Sequence, residues 1–334
     1  MKYYQILLFV VLVLLLGKGE GLTRKDYLKA KNLIRSYIKG QTTSIPEPHL
    51  NLIPGLVRLV FHDCSGRNCD GCINPNHPFN GRTVPVVNAL EPLFNQVLPD
   101  GFSIKKVMSR ADFWALGSIE ATKIAVSLNN QRCGCPKKRK CMTKPLRLPF
   151  KFGRIDCPTS PFYNAPVEET PVLPSSFLDN KQTLDFFKVN FGFNAKESTF
   201  IMGGHSLGFS ANTTQQPGVW EIGNSDGFGN RYFKNMVDKS LNWHQVNNPT
   251  PQGEGRWSWN GNNGAFGLDT DINLVRDISV NTVTGKASSF CGSKKSPTYK
   301  YVKKMTRRSY FSRNYARTFI KMISLGASNL CRPH

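Results

Sequence analysis

Two short phrases of this chain carry side chains suited to acid–base and metal chemistry. Arg58 and His62 lie four residues apart, so a helix would place both on one face. A neutral imidazole there could move a proton, and a guanidinium that stays protonated could stabilise developing negative charge. Far downstream, His205 follows the pair Gly203 and Gly204, which would let a flat group approach the backbone. Each phrase alone is also compatible with ordinary core packing.

The string Arg58-Leu-Val-Phe-His-Asp-Cys64, followed by Cys69-Asp70, closely resembles the distal motif of the secretory plant-type haem peroxidases. The resemblance implies that Arg58 and His62 are catalytic. Phe61 directly precedes the histidine and could cover the same cavity. It also implies a disulfide bond between Cys64 and Cys69. Calcium ligands are implied at Asp63 and Asp70, but Cys72 stands where this family usually has a serine oxygen, and calcium prefers oxygen ligands.

The same family uses a distal asparagine to orient the catalytic histidine. Counting back from Glu91-Pro92-Leu93 places that asparagine at Asn80, provided that one residue is inserted. An amide oxygen there would accept the other N–H of His62 and fix its tautomer. The alternative is an ordinary turn at Asn80-Gly81.

The phrase around His205, Gly-Gly-His-Ser-Leu-Gly, resembles the proximal side of the same family, where this histidine is the axial ligand of haem iron. The family pairs that histidine with an aspartate, and Leu268-Asp-Thr-Asp271 implies Asp271 as the partner. Trp220 resembles the tryptophan of cytochrome c and ascorbate peroxidases, which could hold a radical or only shape the pocket. Gly229 replaces the aspartate of a proximal cation site, which argues against a cation there.

Hydrophobic periodicity predicts a mainly α protein, and the resemblance implies two helical lobes that sandwich a haem. We expect a signal peptide over residues 1–21, a distal lobe over 22–155 and a proximal lobe over 156–334. Residues 130–175 read as a loop, and Asn242–Gly267 could hold a small hairpin. The predicted helices are Arg24–Lys39, Gly55–Asp63, Ser109–Asn129, Asp179–Val189, Ser198–Gly208 and Phe311–Leu325.

The composition predicts a secreted protein. The apolar run Ile6–Leu16 after Lys2 is typical of a signal peptide and is short for a membrane span, although an uncleaved anchor is the alternative. Nine cysteines argue for disulfide bonds in an extracellular setting, and Asn212 begins a glycosylation sequon. The formal net charge of +22 indicates either a solvated basic surface or attraction to polyanions such as acidic polysaccharide.

Together these features predict a secreted haem peroxidase that contains haem b and uses hydrogen peroxide to oxidise small, phenolic donors. Thr213 stands where ascorbate-using relatives have an arginine, and the basic helix around Lys29–Arg35 lacks the carboxylates that manganese oxidation needs. Specific nucleic-acid binding is not expected outside the cell. The alternatives are a basic haem-containing protein that binds matrix polyanions with little turnover, and a secreted helical protein without a cofactor.

Overall fold

The computed structural model describes residues 21–44, 51–134, 141–166, 173–210, 218–248, 256–288 and 294–334. The helices are α1 (Arg24–Ser44), α2 (Leu52–Asp63), α3 (Val84–Asn95), α4 (Ile104–Val107), α5 (Arg110–Arg132), α6 (Asn180–Phe191), α7 (Ala195–Ile201), α8 (Arg231–Val237), α9 (Asp269–Ile272), α10 (Tyr299–Met305) and α11 (Arg308–Met322). The strands are β1 (Phe209–Ser210), β2 (Gly218–Val219), β3 (His244–Asn248), β4 (Arg256–Asn260), β5 (Phe266–Gly267), β6 (Ser279–Val280) and β7 (Ala287–Ser288). The chain is therefore mainly α, as its periodicity predicts.

The longest described helix, α5, is the central support of the first half of the chain. Ser109 caps its N-terminus by accepting the N–H of Asp112 at 3.1 Å, and most of its side chains are buried. Helices α1 and α2 both pack on it. Gly117 permits the close approach of α2, because a Cβ at this position would lie 3.1 Å from Leu56 Cδ2.

A buried ion pair joins α5 to the chain that leads into the second half. Arg154 Nη1 donates to Asp112 Oδ1 at 2.6 Å, and Arg154 Nε donates to the carbonyl of Ile323 at 2.7 Å, at the end of α11. Both side chains of the ion pair are nearly inaccessible to water. Removing either partner would leave a buried charge uncompensated, which typically costs about 3–5 kcal/mol.

One hydrophobic core runs through both predicted lobes. It extends from Leu22 before α1 to Ile323 after α11 and includes Trp114 and Tyr315, which are among the largest fully buried side chains. Core residues come from both sides of the predicted boundary between residues 155 and 156, so the two predicted lobes share one core. The two lobe boundaries themselves remain a prediction, and the predicted signal peptide lies outside the described residues apart from Gly21.

Strands β3 and β4 form an antiparallel hairpin within the irregular stretch Asn242–Gly267, and β5 pairs with β4. Of the tryptophans in this stretch, Trp243 and Trp259 are buried in a small separate core, whereas Trp257 is partly exposed. Packing therefore accounts for two of the three. None of the helices in the described residues is both long and apolar enough to cross a membrane.

The prediction of one helix over Ser198–Gly208 is wrong in its second half. The α-helical part ends at Ile201, and a 3₁₀ segment continues from Met202 to Ser206. Two consecutive glycines are poor helix formers and favour a tighter turn. Gly208 then adopts a left-handed φ of 82°, and a Cβ there would lie 3.2 Å from Pro54 Cβ. The segment that carries His205 therefore meets the first turn of α2.

Candidate active site

Helix α2 presents one partly exposed face. Asn51 caps the helix by accepting the N–H of Ile53 at 2.9 Å, and Pro54 fits the first turn, where no N–H is needed. The helix buries most of its other side chains in the core. The predicted distal residues Arg58, Phe61 and His62 all lie on the partly exposed face. The helical spacing thus places the guanidinium and the imidazole on the same side, as predicted.

Asn80 lies beside His62, although 18 residues separate them in the chain. The His62 Nδ1–H donates to Asn80 Oδ1 at 2.6 Å. The amide of Asn80 is oriented in turn, because its Nδ2 donates to the carbonyl of Asn74 at 2.8 Å. This arrangement fixes the proton of His62 on Nδ1 and leaves the Nε2 lone pair available.

At neutral pH the distal imidazole is neutral, and the distal guanidinium is still charged although its surroundings lower its pKa. Burial lowers the pKa of His62 well below 6.5, and the Arg58 cation lowers it further, whereas the bond to Asn80 acts in the opposite direction. Burial and the nearby Arg82 cation lower the pKa of Arg58 to about 10. At neutral pH His62 can therefore accept a proton while Arg58 remains a cation.

Phe61 is held by a cluster of aromatic rings. Its ring stacks on Phe191 at a centroid distance of 4.9 Å and lies edge-on to His62 at 6.0 Å. Phe187 also contacts it, so α6 supports the distal face. Phe61 therefore lies beside the imidazole, as its position directly before His62 predicts.

His205 and Asp271 form the predicted proximal pair. The Nδ1–H of His205 donates to Asp271 Oδ1 at 2.7 Å across 66 residues of sequence. The imidazole is 31% exposed, whereas the carboxylate is 1% exposed. Among the described residues, no hydrogen bond engages Nε2 of His205. The proximal imidazole thus has a fixed tautomer and a free, partly accessible nitrogen.

Asp271 accepts hydrogen bonds from four different residues. Besides His205, these are Trp220 Nε1 at 2.9 Å, the Tyr232 hydroxyl at 2.6 Å and the Leu268 N–H at 2.8 Å. Burial by itself raises the pKa of Asp271, but His205 and these hydrogen bonds outweigh it and lower the pKa overall. The group is therefore a carboxylate at neutral pH. Trp220 also stacks on the imidazole at a centroid distance of 4.4 Å.

Glu221 adds a second buried carboxylate behind the proximal segment. It accepts the Tyr232 N–H at 3.0 Å and an Asn224 Nδ2–H at 3.1 Å. Burial raises its pKa from 4.5 to about 7. Sequence reasoning missed Glu221 and the role of Tyr232 in this network, because only folding brings these residues to His205. In the sequence, only the position of Glu221 directly after Trp220 indicated that it could lie near His205.

The two glycines before His205 have different surroundings. A Cβ at Gly203 would lie 2.9 Å from Phe233 and 3.2 Å from Phe311, so this glycine allows close packing on the proximal core. A Cβ at Gly204 would meet only the Tyr315 hydroxyl, at 3.6 Å. The expectation that both glycines serve approach by a flat group is therefore wrong for Gly203.

The predicted calcium residues lie close together, with Asp63 at the end of α2 and Asp70 in the loop that follows it. Burial raises the pKa of Asp63 well above 3.8, and the neighbouring Asp70 raises it further. Cys72 donates its N–H to Asp63 Oδ1 at 3.1 Å, but its sulfur is bonded to Cys157. The donor set therefore offers carboxylate oxygens for a cation but no oxygen from the side chain of Cys72. The implied Cys64–Cys69 disulfide is present, and Cys133–Cys141 is a third bridge.

Comparisons with known proteins indicate one family for the chain. The peroxidase family model matches residues 34–288, which is most of the chain. The chain is 27% identical to peroxidase 1 of Arabidopsis thaliana over 228 residues, which cover 63% of this chain and 61% of that protein. It is 26% identical over 252 residues to a Debaryomyces hansenii protein whose name describes a heme-binding peroxidase, covering 70% and 50% respectively.

The fold is that of a plant-type peroxidase. The chain belongs to the peroxidase family, the plant-type haem peroxidases that its sequence resembles. It spans about half to three fifths of the length of the curated relatives that it matches.

The residues present fit the haem that this family implies. His205 offers a free imidazole nitrogen with a buried carboxylate behind it, which is the donor set of a histidine ligand to haem iron. On the distal side, the Nε atom of Arg58 is buried and has no hydrogen-bond partner within the described part of the chain. Such an orphaned donor is a reason to expect a polar or charged group beside it.

Proposed function

We propose that this protein is a secreted peroxidase that contains haem b, reduces hydrogen peroxide and oxidises small phenolic donors in one-electron steps. The observation that carries the proposal is the neutral, tautomer-fixed His62 beside the Arg58 cation, on a chain that also presents His205 and Asp271 as an axial pair. Haem, when bound, would supply the iron at which peroxide reacts and would store the oxidising equivalents.

The distal residues have separate roles in proton transfer and charge stabilisation. His62 would use Nε2 to take the proton from one peroxide oxygen and return it to the other, which leaves as water. Asn80 would hold the opposite nitrogen protonated throughout, so that only Nε2 exchanges. Arg58 would stabilise the negative charge that develops as the O–O bond breaks, because its pKa of about 10 keeps it protonated.

The proximal residues orient the ligand and set its basicity. His205 would hold the iron through Nε2, and the Asp271 carboxylate would give the imidazole anionic character. Trp220 and Tyr232 share that carboxylate as hydrogen-bond donors, so they limit how strongly it draws the His205 proton. Trp220, stacked on the ligand, would also be the nearest aromatic side chain through which an electron could pass.

The chain's own residues support the proposed donor and compartment. The single acidic residue of α1 is Asp26, which accepts the Thr23 hydroxyl at 2.7 Å, so this helix offers no cluster of carboxylates for manganese. A small phenol at the haem edge needs no dedicated ionic site. Three disulfide bonds in the described residues are typical of an oxidising, extracellular compartment, which supports secretion.

Calcium binding between Asp63 and Asp70 is also proposed. The two carboxylates face a cavity of about 260 Å³ that His62 and Asn80 also line. Their mutual repulsion would be relieved by a divalent cation. Added calcium should raise the unfolding temperature of the wild-type protein but not that of Asp70→Asn. Equal shifts for both proteins would contradict the site.

The test of the function compares two histidine variants of the haem-loaded protein. His62→Ala should lower kcat/KM for hydrogen peroxide, with a phenol as donor, by about 10²–10⁴-fold, which is the usual contribution of general acid–base catalysis. His244→Ala removes an exposed histidine of β3 and should leave the rate unchanged. Similar rates for both variants would contradict the role of His62.

The alternative, a haem-containing protein that binds matrix polyanions with little turnover, predicts a different result. In that case the wild-type protein would bind haem through His205 but would turn over no faster than His62→Ala. The alternative gains its support from the basic surface and none from the distal hydrogen bonds, because binding a polyanion requires neither a neutral imidazole nor Asn80.

A further inference from the structure

In the last part of the chain, every Lys, Arg, Asp or Glu position is a Lys or an Arg. Residues 278–334 contain twelve lysines and arginines and no aspartate or glutamate. On helix α11 the exposed side chains Arg313, Arg317 and Lys321 recur every four residues, so they form a stripe along the solvent face. Successive charges on this stripe are about 6 Å apart along the axis, since the helix rises about 1.5 Å per residue. Lys321 is bound to Glu197 at 2.7 Å.

A second row of cations lies beside this helix. Residues 142–154 run along α11 and are attached to it at both ends. Arg308 Nη1 donates to the carbonyl of Met142 at 3.0 Å, and Arg154 Nε donates to the carbonyl of Ile323 at 2.7 Å. The exposed cations of this segment are Lys144, Arg147 and Lys151.

The two rows are neighbours because Ser312 makes the contact between them. Its hydroxyl donates to the carbonyl of Lys144 at 3.0 Å. Arg313 and Arg317 lie on the adjoining edge of the helix, about 100° and 140° around the axis from Ser312. Five cations, called here the basic strip, therefore share one surface: Lys144, Arg147, Lys151, Arg313 and Arg317.

The charge of the basic strip is not neutralised by the protein. Among the described residues, no carboxylate lies within ion-pair distance of any of its five members, whereas Lys321 at the far edge has Glu197. Like charges on one surface repel each other and concentrate counter-ions. An extended polyanion that lies along both rows would replace several small counter-ions at once, which favours its binding entropically.

We propose that the basic strip binds an extended acidic polysaccharide. The disulfide bonds of the chain indicate an oxidising compartment, where acidic glycans are more accessible than nucleic acid. Single-stranded nucleic acid also calls for exposed aromatic rings, and the strip contains none. A membrane surface calls for an apolar face, and the strip has only the single exposed Ile155 beside it.

Binding at the strip would leave the candidate active site open. The buried face of α11 carries Phe311 and Tyr315, which pack on the segment before His205; a Cβ at Gly203 would lie 3.2 Å from Phe311. The helix therefore stands between the strip and the proximal histidine. The strip would anchor the protein to a polymer without covering the face of α2 that carries His62.

The test uses the full chain and a labelled polygalacturonate fragment, with neutral dextran as the negative probe. The triple variant Arg147→Gln, Arg313→Gln, Arg317→Gln removes three charges of the strip. At about 0.1 M salt it should bind at least about tenfold more weakly, and the slope of log K against log salt should fall by about two. The matched control Lys105→Gln, Lys106→Gln, Lys286→Gln removes the same charge elsewhere from exposed positions.

The control should change affinity less than about twofold, and Arg313→Lys with Arg317→Lys should retain most of the affinity because the charge remains. Circular dichroism of each variant distinguishes lost charge from lost fold. Equal weakening by the strip variant and the control would overturn the proposal, because net charge alone would then explain binding. Tighter, strip-dependent binding to oligodeoxythymidylate or to phosphatidylserine vesicles would overturn the choice of polysaccharide.

Discussion

Replacing Glu221 by glutamine would isolate the cost of a buried charge behind the proximal histidine. Burial raises the pKa of Glu221 from 4.5 to about 7, although hydrogen bonds from Asn224 and the Tyr232 N–H lower it. The difference between these two pKa values corresponds to about 3 kcal/mol. Because the folded-state pKa is the higher one, this stability is fully present below about pH 4.5 and is lost as the pH rises through about 7.

The assay is the free energy of unfolding in urea, measured at pH 5 and at pH 8 for the wild type and for Glu221→Gln. The free energy of unfolding of the wild type minus that of the variant should fall by about 2–3 kcal/mol from pH 5 to pH 8. Titrations that both proteins share cancel in this difference.

Glu197→Gln is the matched control, because Glu197 is a partly exposed carboxylate in a surface ion pair with Lys321. Its difference from the wild type should change by less than about 1 kcal/mol between the same pH values, as expected for an exposed pair. If the difference between the wild type and Glu221→Gln were the same at pH 5 and pH 8, Glu221 would carry no cost of ionisation. The reasoning from burial would then be refuted.

Three further outcomes are expected. Asn80→Val should slow the reaction with peroxide by about 10–100-fold in stopped-flow mixing, because one lost hydrogen bond leaves the distal imidazole unoriented; an unchanged rate would contradict this role. Tyr232→Phe should cost about 1.5–3 kcal/mol in urea unfolding, whereas Tyr315→Phe, whose hydroxyl makes no hydrogen bond in the described residues, should cost less. Removing Cys72–Cys157, which closes 85 residues, should cost about 4 kcal/mol, and a loss below about 1 kcal/mol would refute the loop argument.

The elements of the site that depend on local spacing could be predicted from the sequence. The four-residue interval between Arg58 and His62 was enough to place them on one helix face. The family resemblance, and not local spacing, implied Asp271 as the partner of His205, and the structure brings His205 Nδ1 within 2.7 Å of Asp271 Oδ1. Their catalytic and ligand roles remain predictions that the experiments above address.

The elements that depend on long-range packing could not be predicted. Nine cysteines permit many pairings, so the Cys72–Cys157 bridge could not be inferred from spacing. Tyr232 and Glu221 join the proximal network through contacts that only the folded chain creates.

The glycine pair before His205 changed an expected α-helix into a 3₁₀ turn, because local propensity overrode the apolar periodicity.

The most direct test of the central claim is the visible absorption spectrum of the haem-loaded protein before and after one equivalent of hydrogen peroxide. The account predicts a Soret band that is lost in His205→Ala, that shifts rapidly on addition of peroxide, and that returns when a phenol is added. In His62→Ala the band should persist and the shift should slow by about 10²–10⁴-fold. A Soret band indifferent to peroxide, or one that survives unchanged in His205→Ala, would contradict the account.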